Sequence, residues 1–125
     1  MPAGVFQSSM CHVLIIEDEP LLALLVRDVL EEVGATSFSF ADTQERAVAA
    51  ALTSPPALIT SDVKLRDGTG PLAVNTIHDK LGPIPVIFIT ASPAECQPCN
   101  PPGRVLCKPL NLAALADAFR EMAPA

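Results

Sequence analysis

Apolar positions along the chain follow two rhythms. Short unbroken runs such as Val13–Ile16 and Val86–Ile89 fit strands buried on both faces, whereas longer stretches repeat apolar residues every three or four positions, as one-faced helices do. The first strand is read as His12–Ile16. A helix follows over about residues 20–33, with Leu22, Val26, Val29 and Val33 on one face and Gly34 as its stop. Residues 36–40 form a shorter strand with alternating aromatics, and Asp42 begins a second helix with Glu45 at capping-box spacing. That Ala-rich helix ends before Pro55 and Pro56. The third strand, residues 57–61, runs into Asp62. A loop over 64–70 leads to a third helix over 71–80, which Pro83 and Pro85 close off. Residues 86–90 and 104–107 give the last two strands. Between them ASPAECQPCNPPG holds four prolines in thirteen residues, room for one or two helical turns at most. The final helix starts after Asn111, a good N-cap, with Leu112, Leu115, Phe119 and Met122 on one face.

Five alternations of strand and helix predict an α/β fold, a parallel sheet with helices on both faces. With right-handed crossovers such a sheet binds its ligands outside the carboxyl ends of its strands. The polar residues expected there are Glu17 and Asp18 after strand one, Asp62 after strand three, Thr90 after strand four and Lys108 after strand five. The 125 residues suit one domain, taken as 11–125, with residues 1–10 as a flexible tail. Met10 is a second place where translation could begin.

Composition narrows the function. A net charge of −6, a pI near 4.7, no Trp or Tyr and only five Phe argue against nucleic-acid binding, because phosphate backbones would be repelled and stacking surfaces are scarce. The first ten residues lack the basic start and apolar core of a signal peptide, and no segment reaches the roughly 18–20 apolar residues that span a bilayer. A soluble, cytoplasmic protein without membrane contact is expected. Of Cys11, Cys96, Cys99 and Cys107, only Cys96 and Cys99 have motif spacing. Two thiols are half a zinc site, and their Pro-rich setting does not resemble a redox turn. They are read as solvent-facing loop cysteines.

Each strand-end residue alone has an ordinary explanation: a cap, a turn, a strand residue, a solvated lysine. Their convergence does not. Three carboxylates at two adjacent strand ends repel one another unless a cation binds or one takes up a proton. Mg²⁺ suits such a site, because it keeps several waters and accepts a phosphate oxygen. Asp18 and Asp62 are assigned as direct ligands, the backbone carbonyl of Lys64 as a third, and Glu17 as holding a metal-bound water. Asp62 could then attack a phosphoryl group in line and form an acyl phosphate. Lys108 would pair with Asp62 and later with the phosphoryl oxygens, and the Thr90 hydroxyl would swing in to donate to them. Lys64 and Ser92 flank the approach of hydrolytic water, with small Ala91 leaving access open, and so tune phosphoryl lifetime. His78, on the third helix, reads as a surface residue rather than a relay.

VLIIEDEP, LITSDVKLRDGTG, PVIFITA and VLCKPL resemble, in order, the acidic pair, phospho-acceptor loop, switch Thr and Lys-Pro motifs of response-regulator (CheY-like) receivers. The resemblance covers about residues 11–122. It implies a flavodoxin-like sheet of order 2-1-3-4-5, Mg²⁺ as cofactor, phosphorylation of Asp62 by a sensor histidine kinase, and a cis bond before Pro109. Two features depart from the family. Where receivers often carry Tyr or Phe, as partner of the switch Thr90, this chain has Val105. The stretch from Thr90 to Lys108 is also short for a full fourth helix. Both, with the DVKL and GTGPLAV wording, are similar to the receivers paired with HWE-type histidine kinases. The function implied is a stand-alone receiver that accepts phosphate without turning over substrate. It would signal by protein contact at the face of the fourth strand, the following loop and the last helix, or drain a kinase as a phosphate sink. The alternatives are a Mg²⁺-dependent Asp-nucleophile phosphatase, disfavoured because Glu17-Asp18-Glu19-Pro20 lacks an Asp-x-Asp pair, and an unphosphorylated interaction module.

Overall fold

The computed structural model describes residues 10–96 and 103–124. The chain alternates β1 (His12–Ile16), α1 (Pro20–Glu32), β2 (Ser37–Ala41), α2 (Gln44–Thr53), β3 (Leu58–Asp62), α3 (Gly70–Leu81) and β4 (Val86–Thr90). A 3₁₀ turn (Pro93–Glu95), β5 (Gly103–Cys107) and α4 (Leu112–Met122) complete it. All strand pairings are parallel, in the order β2-β1-β3-β4-β5. This is the α/β receiver sheet that the resemblance implied. The bond between Lys108 and Pro109 is cis.

Alternate residues of each central strand feed opposite faces, so the sheet carries two apolar layers. Leu14, Ile16, Ile59, Val86 and Phe88 pack with α2 and α3, through Ala47, Ala51, Ala73, Val74 and Ile77. Val13, Ile15, Leu58, Ile87 and Ile89 pack with α1 and α4, through Ala23, Val26, Leu30, Leu115 and Phe119. Because β1, β3 and β4 are covered on both sides, their carboxyl ends are held rigidly, and those ends position the site.

Several local expectations need correction. The buried stripe of α1 is Ala23, Val26 and Leu30, with Leu22, Val29 and Val33 only packed along its margin. Asp42 does not cap α2: Thr43 does, its side chain accepting from Arg46 N, and Asp42 is occupied instead by Arg46 and Arg66. Leu112 is 42% exposed, so the buried side of α4 starts at Leu115. His78 is half-buried and donates from Nε2 to the Ile84 carbonyl at 2.9 Å, holding the α3–β4 connection rather than facing water. Cys96 is not solvent-facing either. The 3₁₀ turn carries it back into the α2/α3 layer, where it is buried and disulfide-bonded. Cys99 and residues 1–9 lie outside the described residues. The expected reduction of the fourth helix does hold among the described residues: the 3₁₀ turn is all the helix found between β4 and β5.

Candidate functional site

Glu17 and Asp18 follow directly from β1, and the Glu17 N–H donates to the Ala41 carbonyl at 2.9 Å, extending the β1–β2 ladder by one step. Glu17 is 7% exposed, and its Oε2 accepts from Glu19 N at 3.1 Å. Asp62 closes β3 at 9% exposure. Its Oδ1 accepts from Val63 N at 2.8 Å, and its Oδ2 faces Lys108 Nζ at 3.3 Å. One carboxylate oxygen each from Glu17, Asp18 and Asp62 lie within 4.8 Å of one another. Thr90 is buried at the end of β4, its Oγ1 accepting from Ser92 N at 3.0 Å. The Lys108 N–H donates to the Thr90 carbonyl at 2.8 Å, so the lysine and the threonine share one strand-end rung.

The electrostatics follow from this crowding. Burial, then the neighbouring Asp62 charge, push the Glu17 carboxyl up to about 7, although the Glu19 N–H and Lys108 act in the other direction. For Lys108, burial opposes the charged form, but the Asp62 and Glu17 carboxylates outweigh it and hold the ammonium above its ordinary range. Three acids therefore converge against one ammonium, and the mismatch shows as the raised proton affinity of Glu17. A hard divalent cation would offset it. The donor set of clustered carboxylate oxygens fits Mg²⁺ in kind, an ion that keeps several waters and accepts phosphate oxygens.

The loop after Asp62 folds into a small hairpin. Lys64 and Thr69 form an isolated antiparallel bridge, flanked by Gly70 N to Val63 O at 2.9 Å and Leu65 N to Gly68 O at 3.3 Å. In a pair of this type the flanking residues carry the ladder bonds, so Lys64's own carbonyl is turned away from its partner strand. The Lys64 ammonium pairs with Glu95 on the 3₁₀ turn at 3.1 Å. Ala91 and Ser92 are exposed at the rim. Val105 is 38% exposed and paired in register with Phe88, two rungs back from Thr90. His78 lies outside this group of residues.

The structure adds residues to which the sequence pattern gave no part in the site. Gln44, at the start of α2, and Asp42, just before it, brace the loop after Asp62, and Glu95 on the 3₁₀ turn pairs with Lys64. Glu95 carried no signal beyond its charge. Gln44 carried none, because a helix-initial glutamine is ordinarily solvated.

The family model for the response regulator receiver domain matches residues 13–99, a span that includes the acids, the hairpin and Thr90 but stops short of Lys108. The chain is 45% identical over 84 residues to the phyllosphere-induced regulator PhyR of Methylorubrum extorquens, covering 66% of this chain and 31% of that protein. The solution structure of the PhyR receiver domain from Erythrobacter litoralis superposes with a TM-score of 0.80 at 28% identity, over 93% of this chain and 95% of that one. A crystal structure of the anti-anti-sigma factor PhyR from Bartonella quintana gives a TM-score of 0.70 at 35% identity, over 91% of this chain and 51% of that one. This chain thus spans less than a third of the curated relative's length. With the strand-end acids, the sheet order and the family match in agreement, the chain belongs to the response regulator receiver domain family.

Proposed function

We propose that this receiver is a phosphorylation switch whose Asp62 takes a phosphoryl group from a sensor histidine kinase, of the HWE type. The observation that carries this reading is the convergence of Glu17, Asp18 and Asp62 on one point beside Lys108. Asp62 is the acceptor because it alone in the cluster pairs with the ammonium, at the end of a strand buried on both faces. Bound Mg²⁺, held by Asp18, Asp62 and the Lys64 carbonyl with Glu17 on a water, would neutralise charge on the incoming phosphoryl oxygens. One carboxylate oxygen of Asp62 attacks phosphorus in line as the donor bond breaks, leaving an aspartyl phosphate. Lys108 then exchanges an aspartate oxygen for a phosphoryl oxygen. Thr90, whose hydroxyl is now turned back to Ser92 N, reorients to donate to the phosphate.

The phosphoryl group is lost by hydrolysis, with Lys64, Ala91 and Ser92 shaping the path of water. We read the chain as a regulator rather than a turnover enzyme. Its place is the cytoplasm, where sensor kinases present their phosphohistidines. No helix among the described residues is long and apolar enough to cross a membrane. The anti-anti-sigma role named for the Bartonella quintana relative belongs to a protein of which this chain spans 51%, so that likeness supports the receiver step and not the output step.

The test is labelling by acetyl phosphate with Mg²⁺. Wild type should take up an alkali-labile label and Asp62→Asn none. No label on wild type, or equal label on both, would overturn the reading.

A further inference from the structure

We propose that Gln44, the first residue of α2, is a positioning residue of the phosphate-accepting site, its side-chain oxygen holding the 63–69 hairpin in the shape that presents the Lys64 carbonyl beside Asp62. The inference rests on the metal and phosphate roles proposed above and adds a residue outside the acid cluster.

Gln44 grips the hairpin twice. Its backbone N–H donates to the Asp67 carbonyl at 3.0 Å, and its Oε1 accepts from Thr69 N at 3.0 Å. Thr69 is the residue paired with Lys64 across the hairpin. Fixing the Thr69 amide therefore fixes the strand against which Lys64 lies. Gly68, between the two gripped residues, has a φ of +82°, and a Cβ there would overlap the Gln44 side chain. Its backbone is thus pressed against the glutamine in a conformation that glycine alone adopts freely. A second strap lies alongside: Arg66 pairs with Asp42 at 2.8 Å, and Arg46 of α2 holds the same carboxylate at 2.9 Å. Four consecutive hairpin residues, 66–69, are therefore tied to or packed on the start of α2, whereas the tip of Lys64, among the described residues, pairs with Glu95 alone. Groups that orient a metal ligand without touching the metal commonly change affinity by about tenfold or more when removed.

A glutamine that merely braced a loop would change melting without changing metal affinity. The measurement is an NMR titration of backbone amides with Mg²⁺ on the full chain, for wild type, Gln44→Ala and Gln44→Glu, each checked for folding by circular dichroism. Glutamate keeps an oxygen for the Thr69 N–H, so it serves as the conservative rescue. The expected result is Mg²⁺ affinity about tenfold weaker in Gln44→Ala and close to wild type in Gln44→Glu. Hydrogen exchange at Thr69 should be faster in Gln44→Ala and restored in Gln44→Glu, even without metal. A folded Gln44→Ala that binds Mg²⁺ like wild type, or a Gln44→Glu as weak as Gln44→Ala, overturns the proposal. If wild type itself binds no Mg²⁺, the phosphorylation reading fails instead. The metal-free Thr69 exchange then still decides the grip: unchanged protection in Gln44→Ala refutes it.

Discussion

At the scale of single residues, the acids of the site are constrained more by their surroundings than by their own chemistry. Glu17 takes its proton near 4.5 when unhindered and near 7 in the fold. Between those values the folded chain binds more protons than the unfolded one, so stability falls as pH rises through that window. Metal-free protein should therefore melt at a lower temperature at about pH 7.5 than at about pH 5, and Glu17→Gln should flatten that slope. Thermal melts followed by circular dichroism check this, since there is no Trp or Tyr for fluorescence. Parallel slopes in the two proteins would contradict the assignment. Gly70 is constrained by space: a Cβ there would overlap the Asp62 carbonyl and the Ser61 hydroxyl. Gly70→Ala should cost about 2–3 kcal/mol, read as a lower urea midpoint, and should weaken Mg²⁺ binding by displacing the Asp62 backbone. The sequence made the acids, Thr90 and Lys108 visible, because strand ends in a parallel sheet meet at one edge. It could not show the burial of Glu17 or the closeness of Gly70, which depend on contacts between distant segments.

At the scale of elements, helix starts show how far local rules reach. Thr69 and Asn111 cap α3 and α4 through side-chain bonds to Leu72 N and Ala114 N. Asn111 was readable because nothing nearby competes for it. Asp42 and Thr43 are adjacent candidates for α2, and the choice fell to Thr43 because Arg66, 24 residues away, engages Asp42. Thr43→Ala should therefore destabilise by about 1 kcal/mol and lower Tm by about 3–5 °C, whereas Asp42→Ala should act mainly through the Asp62 loop. Calorimetry of the two variants separates them. The turn between β4 and β5 shows the opposite case. Its prolines announced that no full helix would form, but the burial of Cys96 and the link from Glu95 to Lys64 are tertiary facts. An exposed ion pair of this kind contributes about 1 kcal/mol at most. Lys64→Ala and Glu95→Gln should accordingly leave melting nearly unchanged while altering the lifetime of the Asp62 phosphoryl group severalfold. Identical lifetimes in all three proteins would leave the pair without a part in the switch.

At the scale of the whole molecule, three buried central strands flanked by two more exposed ones give the order and the edge, and that edge collects negative charge at one point. Parallel sheets with covered faces show themselves as unbroken apolar runs, so the topology was readable almost entirely from β1, β3 and β4. The edges were harder: β2 starts and ends one residue later than its aromatic pattern indicated, because His12 to Ile16 pair with Ser37 to Ala41. A fold that stores repulsion at its edge should tighten when a cation arrives. Mg²⁺ at about one hundred times its dissociation constant should stabilise the chain by about 2.7 kcal/mol, and Asp18→Asn should remove most of that gain. Phosphorylation of Asp62 is nonetheless a covalent event, and its product can be trapped chemically. Treat the chain with acetyl phosphate and Mg²⁺, reduce with borohydride, which converts an aspartyl phosphate to homoserine, and map the peptides by mass spectrometry. Homoserine should appear at position 62 alone, dependent on Mg²⁺; homoserine elsewhere, or none under conditions that label another receiver in the same tube, would rule out Asp62 as the acceptor.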